Sequence, residues 1–489
     1  MIFLYLCAVI RIVTILLTAL WALSVHAVTK IKYPGGRQYM FRLTLTDKLQ
    51  SPYRLDRPLR WLSSRSIERR RRQGLPIDST DLPVSPRYLS TIKAQRGIDV
   101  VGTSRWNNTV LIHTADTAAL KPLKELPFIR KAELVWLSPD SIERKHLKPD
   151  YHDYFSPWDS VKHEYYGGAK EQIEALNGQR LHSIGLQGRS MTIAVLDGGF
   201  QNVNHLISFY DTRIEGFRDL LWHNPLLQAS NLGDELIYHE ADHGTRVLSA
   251  LAANSPEVMV GTAPEARYWL LRCEDQQTEQ PVEEDYWAMA AEIADSAGAD
   301  IINSSLGYSY YDAPHASLQL NDLDGRSTLI SRSASMLVRK GIVMVSSAGN
   351  TGMGPWKKIC VPADAHDIIT VGAINPQGKN APFSAVGPSQ DGRVKPDIMA
   401  YGSPATLISG RGTVVHDMGT SFAAPIVSGL VACLWQALPS MTASDIIELI
   451  RQTADNYQHP NNVYGYGKPN FWRAYMVGKA TGKKTNSEE

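Results

Sequence analysis

One uncharged stretch near the C-terminal end restricts the folds open to this chain more than any other. Gly419-Thr420-Ser421-Phe422-Ala423-Ala424-Pro425 opens it, and Ile426 to Leu438 continues it. A helix this apolar on every side has to lie inside a core, because a surface helix needs a polar face. Ala423, Ala424 and Gly429 keep it slim, and Gly419 lets the backbone and an incoming molecule approach closely. Ser421 is thereby placed at the mouth of a buried helix, where first-turn N–H groups have no partner within the helix and favour negative charge. Thr420 or Ser421 serving only as a helix cap is the plainer alternative, and the rest of the chain weighs against it.

A serine used as a nucleophile requires a base, and the base requires an orienting acid. Thr192-Ile193-Ala194-Val195-Leu196 is a continuous apolar run, as in a strand covered on both faces, and it ends in Asp197-Gly198-Gly199. Asp197 therefore stands at the carboxyl end of a strand, the edge where the ligand and catalytic groups of open α/β sheets gather. Asp242-His243-Gly244-Thr245 precedes the apolar run Val247 to Ala253, which makes His243 the candidate base at the start of a second buried helix. Helix-glycine-strand units follow: Val282 to Ala297 with Gly298 and Ile301-Ile302, then Ser327 to Lys340 with Gly341 and Ile342 to Val345. Such alternation predicts a parallel α/β sheet. A further helix is expected over Ala443 to Gln452, capped by Thr442.

These motifs resemble those of the subtilisin-like serine peptidases, the subtilases. Val195-Leu196-Asp197-Gly198-Gly199, His243-Gly244-Thr245 and Gly419 to Pro425 match the three catalytic signatures of that family, in its order Asp, His, Ser. Ser346-Ser347-Ala348-Gly349-Asn350 is similar to the segment that supplies the oxyanion donor, which the resemblance assigns to Asn350. Ser304-Ser305-Leu306-Gly307 is similar to the strand that pairs with substrate and walls the specificity pocket. The resemblance covers about residues 165 to 470 and implies a doubly wound, mostly parallel sheet. It also implies an endopeptidase that works through Asp197, His243 and Ser421, with Ser305, Leu306, Gly307, Ala348, Gly349 and Cys360 around the substrate. Cys360 falls at or near the position where relatives often have glycine, so the pocket is expected to take uncharged, medium-sized apolar side chains, with a Cys360 that points into the core or pairs with Cys273 as the alternative. A lipase-type hydrolase would need Gly-x-Ser-x-Gly, which the surroundings of Ser421 lack. A peptide-binding scaffold on the same fold would lack a member of the triad, whereas Asp197, His243, Ser421 and Asn350 are all present.

Two departures from the family pattern stand out. Arg246 and Ser249 replace the histidine and glycine that relatives often carry, which leaves the packing there open. The loop Asn254 to Met259 does not reproduce the familiar calcium loop, so no particular calcium site and no cofactor are expected, with calcium elsewhere left open.

The 489 residues are too many for one small domain. Residues 1–27 read as a signal peptide ending in Val25-His26-Ala27, with an uncleaved anchor as the alternative, so an exported, periplasmic, cell-surface or extracellular protein is expected. No span is expected in the mature chain. Residues 28–150 form a separate module and linker. Tyr39 to Leu45 alternates like a half-buried strand with Phe41, Leu43 and Leu45 inside. A helix from Ser85-Pro86, strands at Ile98 to Val101 and Thr109 to His113, a helix near Ala118 to Glu125 and a strand near Ala132 to Trp136 complete a β-α-β-β-α-β order. That order predicts a small α+β ferredoxin-like domain. In subtilases a prodomain of this kind acts as folding template and intramolecular inhibitor, and here it is expected to be cut away by the enzyme itself. Glu68-Arg69-Arg70-Arg71-Arg72 reads as a solvated helix face in an insertion between Trp61 and Gln73, with a processing site or an acidic partner as alternatives. Residues 141–165 read as a solvated linker, 151–475 as the catalytic domain and 476–489 as a polar tail, disordered from Lys479 onward.

With 50 Lys and Arg against 49 Asp and Glu, charge gives no argument for nucleic acid, and protein or peptide substrates of a monomer are the expected partners. After Cys7 departs, Cys273, Cys360 and Cys433 remain. One disulfide with a free thiol and three buried thiols both fit that number.

Overall fold

The computed structural model describes residues 30–143, 164–225 and 232–485; the expected signal peptide and most of the expected linker lie outside them. Two units pack against each other. The N-terminal module contains β1 (Tyr39–Leu45), α1 (Ser64–Arg72), α2 (Pro86–Lys93), β2 (Asp99–Ser104), β3 (Thr109–Thr114), α3 (Leu120–Lys124) and β4 (Ile129–Leu137). Its four strands pair antiparallel in the order β2-β3-β1-β4, the ferredoxin-like arrangement that the sequence predicts, with α1 as an insertion.

The larger unit is built on a seven-stranded sheet. Its elements are β5 (Thr192–Asp197), β6 (Arg213–Asp219), α4 (His243–Ala252), β7 (Arg267–Arg272), α5 (Val282–Ala297), β8 (Ile301–Ser304), α6 (Leu329–Met336), β9 (Val343–Ser347), β10 (Ile369–Ile374), β11 (Ile398–Tyr401), α7 (Thr420–Ala437), α8 (Ala443–Gln452) and α9 (Phe471–Thr485). The strands run parallel in the order β11-β10-β9-β8-β5-β7-β6, with helices on both faces. Alternate residues of β5 serve both cores. Ile193 and Val195 pack with Val247, Leu251, Val427 and Leu430 of α4 and α7, while Ala194 and Leu196 pack with Trp287, Ala291 and Ile330 of α5 and α6. This two-sided burial explains the unbroken apolar run, each fully buried aliphatic side chain contributing about 1.5 to 3 kcal/mol. Gly429 is required by close approach: a methyl group added there would lie 2.0 Å from Thr262 Oγ1.

Four expectations are corrected by the structure. First, β1 is buried on both faces: Phe41, Leu43 and Leu45 fill the module's own core, whereas Met40 and Arg42 face the larger unit. Second, Arg69 and Arg70 of the presumed solvated run are each only 1% exposed. Third, the expected tail is helical as far as Thr485, and Gly478 packs on Leu438. Fourth, residues 141–143 are a strand paired with Lys30–Lys32 rather than a solvated linker.

The module docks chiefly on α5. Arg42 binds Asp285 through Nε at 2.8 Å, and Glu292 accepts the backbone N–H groups of Arg105 at 2.8 Å and Trp106 at 3.0 Å. At the sheet end, the Gln280 side-chain amide exchanges two hydrogen bonds with the backbone of Leu137. Cys273, Cys360 and Cys433 are free, buried thiols, so the open question of pairing is answered in favour of three thiols.

Candidate active site

The site is assembled at the carboxyl ends of the parallel strands. Chain connections run to β6 and β7 on one side of β5 and to β8 on the other, so a crevice opens beside the end of β5, where Asp197 stands. His243 begins α4, and its Nδ1 lies 2.8 Å from Asp197 Oδ1. A carboxylate only accepts, so Nδ1 carries the hydrogen and Nε2 is left to accept a proton. The N–H of Gly198 donates to the same Asp197 oxygen at 2.8 Å, while Oδ2 is buried without a partner among the described residues. Burial opposes the charged imidazolium of His243, but the Asp197 carboxylate outweighs it and raises the affinity for a proton above the ordinary value.

Ser421 is the second residue of α7 and is 8% exposed. Its hydroxyl donates to Ser305 O at 3.0 Å, and the Ser305 hydroxyl donates back to Ser421 O at 2.7 Å. The start of α7 is thus stitched to the end of β8. A chain of polar groups supports the stitch: Ser428 Oγ donates to Asn303 Oδ1, and Asn303 Nδ2 donates to Ser305 Oγ. The Ser421 hydroxyl is directed at Ser305 O. His243 is a neighbour of the same helical turn, its ring centroid 5.6 Å from that of Phe422.

Asn350 follows β9. Its Oδ1 accepts from Thr420 N at 2.9 Å and Thr420 Oγ1 at 3.0 Å, which fixes the amide orientation and leaves both N–H groups of Nδ2 for another acceptor. Of the residues expected around substrate, Leu306 and Ala348 are buried in the core on the α5 and α6 side. Cys360 lies between Gly307 and Gly349: methyl groups added to them would meet Cys360 Cβ at 3.0 Å and Sγ at 2.6 Å. Burial pushes its thiol up to about 11, so it behaves as a small apolar group. The departures at 246 and 249 also find partners. Arg246 pairs with Asp242 at 2.8 Å and Asp417 at 2.7 Å, and Ser249 Oγ accepts the Ile408 N–H at 2.9 Å.

Sequence reasoning missed Glu274, which follows β7 and lies against Gly198, where an added methyl would be 2.7 Å from Glu274 Oε2. Burial, and then repulsion from Asp197, push its carboxyl up to about 7, with His243 opposing. The apolar run Tyr268 to Leu271 marks a strand next to β5, and that signal could have placed Glu274 at the same edge. A pH dependence follows. The unfolded chain loses this proton near 4.5 and the folded chain near 7, so the folded state binds more protons between these values and loses stability as pH rises through them. Glu274→Gln is therefore expected to stabilise the fold at pH 8 by on the order of 2 kcal/mol and to change little at pH 4. Urea unfolding in a Ser421→Ala background, which prevents self-digestion, checks this. An equal effect at both pH values would contradict it.

Comparison with known proteins bears on the family of the chain. Residues 188–467 match the model of the subtilase family, described as Peptidase_S8, and residues 40–150 match a Peptidase S8 propeptide domain of Bacteroidota. Subtilisin NAT of Bacillus subtilis subsp. natto is 28% identical over 66% of this chain and 75% of its own length. A thermostable alkaline protease of Halalkalibacterium halodurans is 30% identical over 62% of this chain and 72% of its own. Among solved structures, the prenylagaramide maturation protease PagA matches at 22% identity with a TM-score of 0.46, over 62% of this chain and 98% of that one. A catalytic-family match over more than half of the chain, preceded by a match to the family's propeptide, means that the chain belongs to the subtilase family of serine endopeptidases and is made as a zymogen.

Proposed function

We propose that this exported endopeptidase cleaves peptide bonds through Asp197, His243 and Ser421. The observation that carries the reading is the 2.8 Å bond from His243 to Asp197 at a strand end that also faces the first turn of α7. Asp197 holds the imidazole in the tautomer that exposes Nε2 and stabilises the imidazolium. Ser421 Oγ swings from Ser305 O to Nε2, gives up its proton and attacks the substrate carbonyl, forming an acyl-enzyme once His243 has protonated the leaving amine. Water, activated by the same imidazole, releases the acyl group. The oxyanion is received by Asn350 Nδ2 and the Ser421 N–H, a first-turn donor without an intrahelical partner. Residues 1–27 direct export, and the enzyme itself cuts the segment after its propeptide.

Specificity rests on Cys360. Its position between Gly307 and Gly349 supports a pocket whose end is filled by a thiol, one that favours leucine-sized side chains over phenylalanine and lysine. Size discrimination of this kind is worth about 1 to 3 kcal/mol. Purified mature enzyme assayed on matched leucine, phenylalanine and lysine peptide substrates tests both parts of the proposal. Turnover is expected with leucine best, and Cys360→Gly is expected to move the preference toward phenylalanine. Failure to hydrolyse any peptide would sink the catalytic reading, and an unchanged ranking in Cys360→Gly would remove Cys360 from the pocket.

A further inference from the structure

The arginine run of α1 has no place in the catalytic mechanism, yet Arg69 and Arg70 within it are buried. It sits at the edge of the larger unit remote from the cleft, where helices end and strands begin. Arg65 pairs with Asp300 and donates to Gly298 O at 2.9 Å. Arg69 Nε donates to Lys340 O at 3.0 Å and Arg69 Nη1 donates to Ala299 O. Gln73 donates to Gly341 O at 2.9 Å and accepts the Ala443 N–H at 2.8 Å. These acceptors close α5 and the turn after α6, and Ala443 opens α8, so α1 supplies partners to backbone groups that helices leave unsatisfied at their ends.

Charge is matched in both directions across this contact. Asp295 of α5 is fully buried among Arg69, Arg70 at 2.9 Å and Arg105 at 2.7 Å, all from the N-terminal module. Burial alone would lift the Asp295 carboxyl, but the guanidinium groups outweigh it and hold it below the usual range. In return, Lys340 of the larger unit reaches into the module, to Asp81 at 3.0 Å and Thr80 Oγ1 at 2.7 Å.

We propose that α1 is a clamp that keeps the propeptide domain bound to the catalytic domain after the segment joining them is cut, so that the working enzyme is a two-chain complex. The proposal rests on the reading that this segment is cut. Cutting between residues 143 and 164 breaks none of the bonds just described. The clamp grips the amino-terminal edge of the sheet, whereas Asp197 and Ser305 stand at the carboxyl ends, so a vacated cleft and a retained clamp are compatible. Separation would require several desolvated charge pairs and backbone acceptors to be rehydrated together, which acts mainly on the dissociation rate.

The test separates this idea from self-processing. A foreign protease site is inserted between residues 144 and 163 of the full chain carrying Ser421→Ala, the site is cut with that foreign protease, and the product is run on gel filtration at micromolar concentration in 0.5 M salt. Both fragments are expected to elute together. Arg69→Ala is expected to weaken the association at least tenfold, and Arg65→Ala with Gln73→Ala, at the half-buried rim, provides a milder variant should the first fail to fold. With Ser421 restored, the co-eluting complex is expected to turn over peptide substrate. Separation of the unsubstituted fragments, unchanged dissociation in the rim variant, or activity confined to free catalytic chain would each overturn the clamp.

Discussion

Ser421→Ala is expected to lower kcat for a peptide substrate by on the order of a millionfold, the size of the loss in a related subtilisin. The Ser421 hydroxyl donates a hydrogen bond to Ser305 O, so its removal costs the fold about 1 kcal/mol. The backbone stitch from Ser305 Oγ to Ser421 O stays in place, and with it the first turn of α7. Loss of activity therefore reports loss of the nucleophile. The same variant is expected to refuse a fluorophosphonate probe and to remain as the uncut precursor in a host without other proteases. Peptidase activity within tenfold of the parent would exclude Ser421 as nucleophile, and maturation to the same size as the parent would assign the cut to another enzyme.

Asn350 is the second residue at which a large loss is expected. Asn350→Asp keeps an oxygen for the N–H and hydroxyl of Thr420, so the start of α7 retains its partner, but it removes the N–H donors that Nδ2 offers to the cleft. A decrease of about a hundred- to a thousandfold in kcat is expected, with KM changed little, because the donor acts on charge that exists only in the transition state; the magnitude comes from a related subtilisin. Asn350→Ala removes donor and acceptor together. Comparison of the two by kinetics and thermal unfolding separates catalysis from support of the helix. A kcat within threefold of the parent in Asn350→Asp would place the oxyanion elsewhere.

Much of the catalytic unit was legible in the order of the residues. The unbroken run from Thr192 to Leu196 specifies a strand buried on both faces, Gly298 and Gly341 mark where helices hand over to strands, and Thr442 with Asp445 forms the predicted cap of α8. These signals are local: periodicity, turn chemistry and capping act between residues a few positions apart, so a sequence displays them directly. The candidate site residues were named from motifs, and the fold brings Asp197 to His243 and Asn350 to Thr420 across 46 and 70 positions of chain.

Tertiary structure alone decided which polar residues are buried. Glu68–Arg72 has the composition of a solvated face and Arg42 occupies the polar side of an alternating strand, yet Arg69, Arg70 and Arg42 are enclosed by a distant part of the chain. Asp295 lies 226 positions beyond Arg69, and nothing in the local pattern of either residue points to the other. The orientation of the Ser421 hydroxyl toward Ser305 and the seat of Cys360 between two glycines likewise depend on how β8, β9 and α7 meet. Local sequence determines the elements and their apolar faces because those follow from backbone geometry. Pairing of charges across units follows from packing, since the cost of burying an ion is met only where its partner arrives from elsewhere in the fold.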